Sequence, residues 1–235
     1  MIAALTVAIA GSAAAVPKLD GIALGSPVSA LLAARGKADV QTTDIGHIWT
    51  WRKPDGGTLR ITTDDDGTVR LIDVTPAAPR PPHSADFLAP GTLPGTKIPV
   101  LFSGYKLGAN SLLIVAREGG RTPREAFLGY RDQLVRAGFV PNAHPPQRYR
   151  APVLEQLGGA DYTSAAEGTA YVRITVSSTG SVTAATIYVS SGDAALDRIA
   201  VASSIHDSFT AAQLDGTPVA SVYFRRVDFT HTKPV

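Results

Sequence analysis

The chain has 235 residues, no cysteine, a formal net charge of +2, and 44% hydrophobic against 18% charged residues. The length suits one large domain or two or three small ones, and the composition is that of a folded chain rather than a disordered one. The missing cysteine excludes disulfides, thiolate metal sites and a Cys nucleophile. The scattered Lys and Arg, with no basic cluster interleaved with aromatics, exclude a nucleic-acid footprint.

Met1 to Ala15 reads MIAALTVAIAGSAAA, an apolar run followed by small residues. It is read as a secretory signal peptide over 1–15 cleaved after Ala15, because Lys18 and Asp20 interrupt well before the ~20 apolar residues of a membrane span. No Lys or Arg precedes the run. Either the α-amino group is its only positive charge, or the start lies upstream and the segment is an inner-membrane anchor.

Residues 16–75 are expected to form a helix followed by a three-stranded meander. Ser26 is a plausible cap with Pro27 at the first helical position, Val28, Leu31, Leu32 and Arg35 follow at helical spacing, and Gly36 stops the helix. Ile48 to Arg52, Thr58 to Thr62 and Val69 to Val74 are the strands, separated by Asp55-Gly56-Gly57 and by Asp64-Asp65-Asp66-Gly67. The aspartate run lacks the alternate acids and final glutamate of a calcium loop and reads as a hairpin turn. Trp49 and Trp51 share a strand face, for core packing or, alternatively, as a glycan-stacking platform.

Residues 76–96 carry Pro76, Pro79, Pro81, Pro82, Pro90 and Pro94 and read as a stiff connector. Residues 97–142 are expected to be a small α/β unit: strands over 97–102 and 111–116, then a helix. The helix is taken to open on a capping box, Thr122-Pro123-Arg124-Glu125, and to bury Phe127, Tyr130, Leu134 and Ala137 before Gly138. Whether this unit stands alone or packs on a neighbour is left open. Residues 143–160 form a second proline-bearing connector.

Residues 161–231 hold the clearest pattern. Tyr171 to Val176 alternates, with Val172, Ile174 and Val176 on one face; Ser178-Thr179-Gly180-Ser181 is a hairpin loop; Val182 to Val189 returns. Ser190-Ser191-Gly192-Asp193 breaks the strand, and either Ser191 or Asp193 can cap a helix that turns Leu196, Ile199, Ala200, Ser203 and Ile205 to the sheet. Val219 to Phe229 is the last strand. Its apolar residues change face at Arg225-Arg226, which fits a bulge, a sheet edge, or a strand covered on both faces. The two arginines also suit gatekeepers against edge-to-edge aggregation.

This stretch resembles the C-terminal domain of TonB-type energy transducers. The features that carry the likeness are Glu167-Gly168-Thr169, Gly180 followed by Val182, Ser190-Ser191-Gly192, Leu196-Asp197, Phe209 with Ala211-Ala212, and Gly216-Thr217-Pro218-Val219. The residue patterns together give an α+β chain of several small modules, and the resemblance implies that it ends in a ββαβ domain with a three-stranded antiparallel sheet and one helix. It implies a periplasmic location and an extended peptide of an outer-membrane transporter as partner. The peptide would add as a strand along the edge formed by Ser221, Val222, Tyr223, Phe224, Arg225, Arg226 and Val227. The first connector is far shorter than the spacer such transducers use, so an envelope docking or assembly protein without energy transduction is the alternative. The N-terminal module is similar to BamE/SmpA-type envelope domains, which implies a second binding surface. A homodimer through the C-terminal sheet edge is a further option.

No catalytic, metal or cofactor site is expected. The histidines His47, His83, His144, His206 and His231 stand outside metal-ligand spacing, and no nucleophile elbow, phosphate loop or dinucleotide fingerprint is present.

Overall fold

The computed structural model of the chain describes residues 16–76, 85, 87–93, 96–107, 109–119, 122–139, 148–159 and 166–230. The expected signal segment, His83, His144 and His231, and most of the prolines of both connectors lie outside them.

Strands β1 (Lys18–Leu19) and β2 (Ile22–Ala23) form a small hairpin ahead of helix α1 (Val28–Arg35). Pro27, not Ser26, occupies the cap; Ser26 Oγ instead donates to the Ala23 carbonyl at 2.7 Å. The helix ends at Gly36, whose N–H reaches the Leu32 carbonyl at 2.9 Å, and it buries Val28 and Leu32.

Four strands follow, β3 (Asp39–Thr43), β4 (Gly46–Arg52), β5 (Thr58–Thr63) and β6 (Val69–Thr75), each antiparallel to the next. The meander therefore has one strand more than its apolar pattern suggests. Segment DVQTT of β3 carries a single aliphatic residue and is paired on one side only, so it has no apolar signature to read. Trp49 and Trp51 are both buried, which decides for core packing over a glycan platform. Their indole N–H groups are satisfied within the chain, by Thr63 Oγ1 and the Gly36 carbonyl, each at 3.1 Å. Asp64 folds the aspartate turn by accepting from the amides of Asp66 and Thr68 at 3.2 and 2.9 Å.

The middle of the chain departs most from expectation. Strands β7 (Phe87–Thr92), β8 (Pro99–Lys106), β9 (Ser111–Glu118) and β10 (Thr122–Tyr130) precede a helix α2 of only six residues (Arg131–Arg136). The capping-box segment is thus strand. A register shift between Pro123 and Glu125 accommodates the proline. Ala126, Phe127 and Leu128 are all buried, because both faces of this strand are covered. A fully buried strand and a buried helix look alike in such a run.

Strand β10 also pairs with β6, so the order is β3-β4-β5-β6-β10-β9-β8-β7 in one eight-stranded sheet. The expected boundary at 76–96 therefore runs through a sheet, and residues 97–142 complete the sheet rather than forming a unit of their own. The physical reason is the open border of β6, whose main-chain groups need a strand beside them.

The C-terminal part contains β11 (Tyr149–Arg150), β12 (Val153–Gln156), β13 (Gly168–Val176), β14 (Val182–Val189), α3 (Ala194–Ile205), β15 (Ser208–Thr210), β16 (Ala212–Leu214), β17 (Thr217–Val219) and β18 (Ser221–Phe229). Three of these make an antiparallel sheet in the order β14-β13-β18. The short strands pair as β11-β16-β17 and β12-β15, so part of the second connector is docked on this unit.

Helix α3 is capped by Asp193, whose Oδ1 accepts from the amides of Ala195 and Leu196 at 2.6 and 3.1 Å. It packs Leu196 and Ala200 on Val172, Ile174 and Val176, while Ile205, expected to face the sheet, is half exposed. The opposite face of the small sheet lies on the large one. Tyr171, Val222 and Phe224 enter the core built by Trp49, Leu59 and Ile61, with Tyr188 packed against it. Phe224 meets Trp49 edge-on at 5.2 Å between ring centroids and His47 at 4.7 Å. The order of layers is α3, small sheet, large sheet.

Candidate peptide-binding edge

Strand β18 is an edge of its sheet, and β13 is its paired neighbour over nine residue pairs without a register shift. The expected bulge at Arg225-Arg226 is absent. Alternation is strict: Val222 and Phe224 face the large sheet, while Tyr223, Val227 and Phe229 join the α3 core. The strand reads as out of phase in sequence because both faces are covered.

The arginine pair follows the same alternation. Arg225 points to the α3 side and donates from the single nitrogen Nη1 to both oxygens of the fully buried Asp207 carboxylate, 2.7 Å to Oδ1 and 2.9 Å to Oδ2. Arg226 points to the large sheet, 2.5 Å from Asp39 and 2.8 Å from Asp228 in its own strand. Both residues are thus fasteners, not free gatekeepers.

Main-chain groups in an antiparallel strand face alternate sides. The Phe224 N–H points away from β13, to Thr42 Oγ1 at 3.4 Å. Val222, Phe224 and Arg226 therefore present the outer border of β18, while Ser221, Tyr223, Arg225 and Val227 spend their main-chain groups on β13. Strand β3 stands along that border. It touches β18 through side chains, Thr42 on Phe224 N and Asp39 on Arg226, and is not paired with it. At the far side of the sheet, β14 pairs with β13 alone; only the hairpin tip is met, by a bridge from Ser181 to Ser208.

Beneath the β18 border lies a buried polar chain that sequence reading did not find. His47 is 1% exposed, with Nδ1 3.0 Å from Thr42 Oγ1 and Nε2 3.1 Å from Asp65 Oδ1. One set of directions satisfies every member: Phe224 N–H to Thr42, Thr42 O–H to His47 Nδ1, and His47 Nε2–H to Asp65. Thr42 uses its hydroxyl at both ends, so the arrangement holds β18 rather than activating a nucleophile. The signal available in sequence was the pairing of His47 with Thr63, which brings the aspartate turn back beside it. Among the described residues no cluster of His, Cys, Asp or Glu is arranged to hold a metal ion. No helix among them is long and apolar enough to cross a membrane.

A small antiparallel sheet carrying one helix, with a long last strand at its border, puts the C-terminal part in the α+β class. Residues 163–231 match the family model described as Gram-negative bacterial TonB protein C-terminal, which makes this stretch TonB C-terminal-domain-like. The match covers under a third of the chain. That family is associated with the Gram-negative envelope and is one of protein interaction rather than catalysis. No curated protein matches the chain. A solved structure described as a cysteine-rich secretory protein from Staphylococcus aureus superposes with a TM-score of 0.35 at 12% identity, over 47% of this chain and 46% of its own. The chain spans less than half the length of that protein, and so slight a likeness bears no weight. The similarity of the N-terminal module to BamE/SmpA-type domains finds no support among these matches.

Proposed function

We propose that the chain is a non-catalytic periplasmic protein, exported by its first fifteen residues, whose TonB-like domain binds an extended peptide of an outer-membrane transporter by strand addition. The edge is β18, Ser221 to Val227. The observation that carries this reading is the border itself: among the described residues no strand pairs with the outer side of β18, and the Phe224 N–H there meets the Thr42 side chain at 3.4 Å. Main-chain bonds of about 0.5–1.5 kcal/mol each would accumulate along that border once β3 moves aside. Amide hydrogen exchange of the full chain, with and without a synthetic peptide from the periplasmic terminus of such a transporter, tests it. Slowed exchange at Val222, Phe224 and Arg226 is expected; unchanged exchange throughout β18 refutes the edge.

A second reading, an envelope docking or assembly protein that transmits no force, is favoured by one observation. The small sheet is sealed by Tyr171, Val222 and Phe224 onto the large sheet, so the domain is built into the rest of the chain. Energy coupling would need that seal to hold under load. Edge-to-edge pairing of two copies through the same sheet is the homodimeric form of either reading, and sedimentation of the purified chain decides it.

A further inference from the structure

Three arginines from two parts of the chain line one cavity of about 600 Å³, together with Asp44, Ile45, Tyr149 and Leu214. Arg136 comes from the last turn of α2, and Arg148 and Arg150 flank Tyr149 at β11. All three side chains are exposed, and none makes a salt bridge among the described residues.

Asp44 accepts the Ala151 N–H at 2.7 Å, and Asp215, in the adjoining cavity that Arg148 and Arg150 also line, accepts the Arg148 N–H at 2.9 Å. Each acid holds the main chain through one carboxylate oxygen. Together they pin the 148–151 segment at both ends, and pairing of Tyr149 with Leu214 and Arg150 with Gln213 fixes it between them. The result is a held backbone from which two guanidinium groups project at alternate positions, opposite a third on α2.

We propose that this cavity binds an anion of the phosphate-ester class, with Arg136, Arg148 and Arg150 as its charged contacts. Guanidinium forks match the oxygens of phosphate, and the three arginines outnumber Asp44, the one carboxylate in the cavity lining, so a multiply charged anion is favoured there. The volume is in the range of small-molecule sites and far exceeds a bare phosphate. Ile45, Leu214 and the Tyr149 ring give the body of the ester an apolar wall. The same chemistry is offered by a soluble phosphate monoester and by a lipid headgroup.

The test uses the full chain. Phenyl phosphate is titrated calorimetrically, and co-sedimentation is measured with phosphatidylcholine vesicles with and without phosphatidylglycerol. Saturable binding of phenyl phosphate identifies a soluble ester; sedimentation only with phosphatidylglycerol identifies a headgroup. In either arm, Arg148→Ala/Arg150→Ala and Arg136→Ala should weaken binding by about tenfold or more, while Arg52→Ala, an exposed arginine on β4, should not. The variants remove exposed side chains, and unchanged circular dichroism confirms that they fold. Binding in neither arm, an equal response to acetate, or an equal loss in Arg52→Ala overturns the proposal.

Discussion

The phenol of Tyr171 in β13 and the peptide groups of Ala38 exchange two hydrogen bonds, the hydroxyl accepting from the Ala38 N–H and donating to its carbonyl, each at 2.7 Å. One side chain thus acts as a rung between the two sheets, just ahead of β3. Burial pushes the phenol's pKa up, so it remains a donor through neutral pH.

Tyr171→Phe removes that hydroxyl but keeps the ring, which packs on Trp49 at 5.4 Å. Ala38 is 1% exposed, so its N–H would be left buried without this partner and its carbonyl with a 3.5 Å contact from Arg226 Nη1. The expected loss is about 2–4 kcal/mol. It should appear as a lower urea midpoint with an unchanged slope, since the surface exposed on unfolding stays the same.

Arg225 supports the other face. The Asp207 carboxylate is fully buried, holds the Gly158 N–H at 2.7 Å and takes both remaining contacts from Arg225. Arg225→Ala strands that charge and is expected to cost about 3–5 kcal/mol. Arg225→Lys keeps the charge but on a shorter, differently shaped side chain, and should fall between the two. Urea denaturation of the three proteins checks the order; equal stability of wild type and Arg225→Ala would show that the pair carries nothing.

These residues mark what the sequence could and could not convey. The strands β13 and β14, the cap choice including Asp193, and the apolar positions Leu196 and Ala200 were legible because local chemistry decides them. The arginine doublet was not. Its members serve opposite faces, and two of their partners, Asp207 and Asp39, are distant in the chain. Strand β10 was misread because Phe127, Tyr130 and Leu134 fit a helical spacing, while the pairing with β6 that keeps the segment extended leaves no local trace. Strand β3 was missed for the opposite reason, being too polar to announce itself. The His47 chain needed the hairpin register before its members could be joined.

A buried triad in the large sheet makes stability depend on pH. Arg60 contacts Asp73 at 2.7 Å and Glu125 at 2.5 Å, and both acids are almost fully buried. Burial first, then the hydrogen bond and charge of Glu125, push the Asp73 carboxyl well above its ordinary 3.8, against the pull of Arg60. The folded chain therefore keeps a proton that the unfolded chain releases. The stabilisation is complete below 3.8 and is lost as pH rises through the folded value. Asp228 works in the opposite sense: burial raises it, but Thr169 and Arg226 outweigh that and lower it, so its contribution is lost as pH falls. The comparison must then be between wild type and Asp73→Asn, which cannot titrate. The difference in urea midpoint between them should change steadily from acidic to neutral pH, in favour of the variant; a constant difference would contradict a raised Asp73 carboxyl.

Gly180 joins the β13–β14 hairpin to β15. Its φ is +86°, and a Cβ placed there would lie 1.9 Å from the Phe209 carbonyl oxygen, while the Phe209 N–H donates to the Gly180 carbonyl at 3.0 Å. The obstacle is main chain and cannot swing away. Gly192 offers the control: its φ is +93°, and a Cβ added to it would meet nothing within 4 Å. Gly192→Ala should cost only the left-handed strain, about 1 kcal/mol, whereas Gly180→Ala adds the collision and should cost at least about 2 kcal/mol. Phe209 packs on Tyr223 of β18 at 5.0 Å between centroids. Displacing it should also speed amide exchange in β18, a readout that Gly192→Ala leaves unmoved. If both variants were equally stable, the hairpin tip would not be holding β15, and the support it lends to the edge strand would have to come from α3 alone.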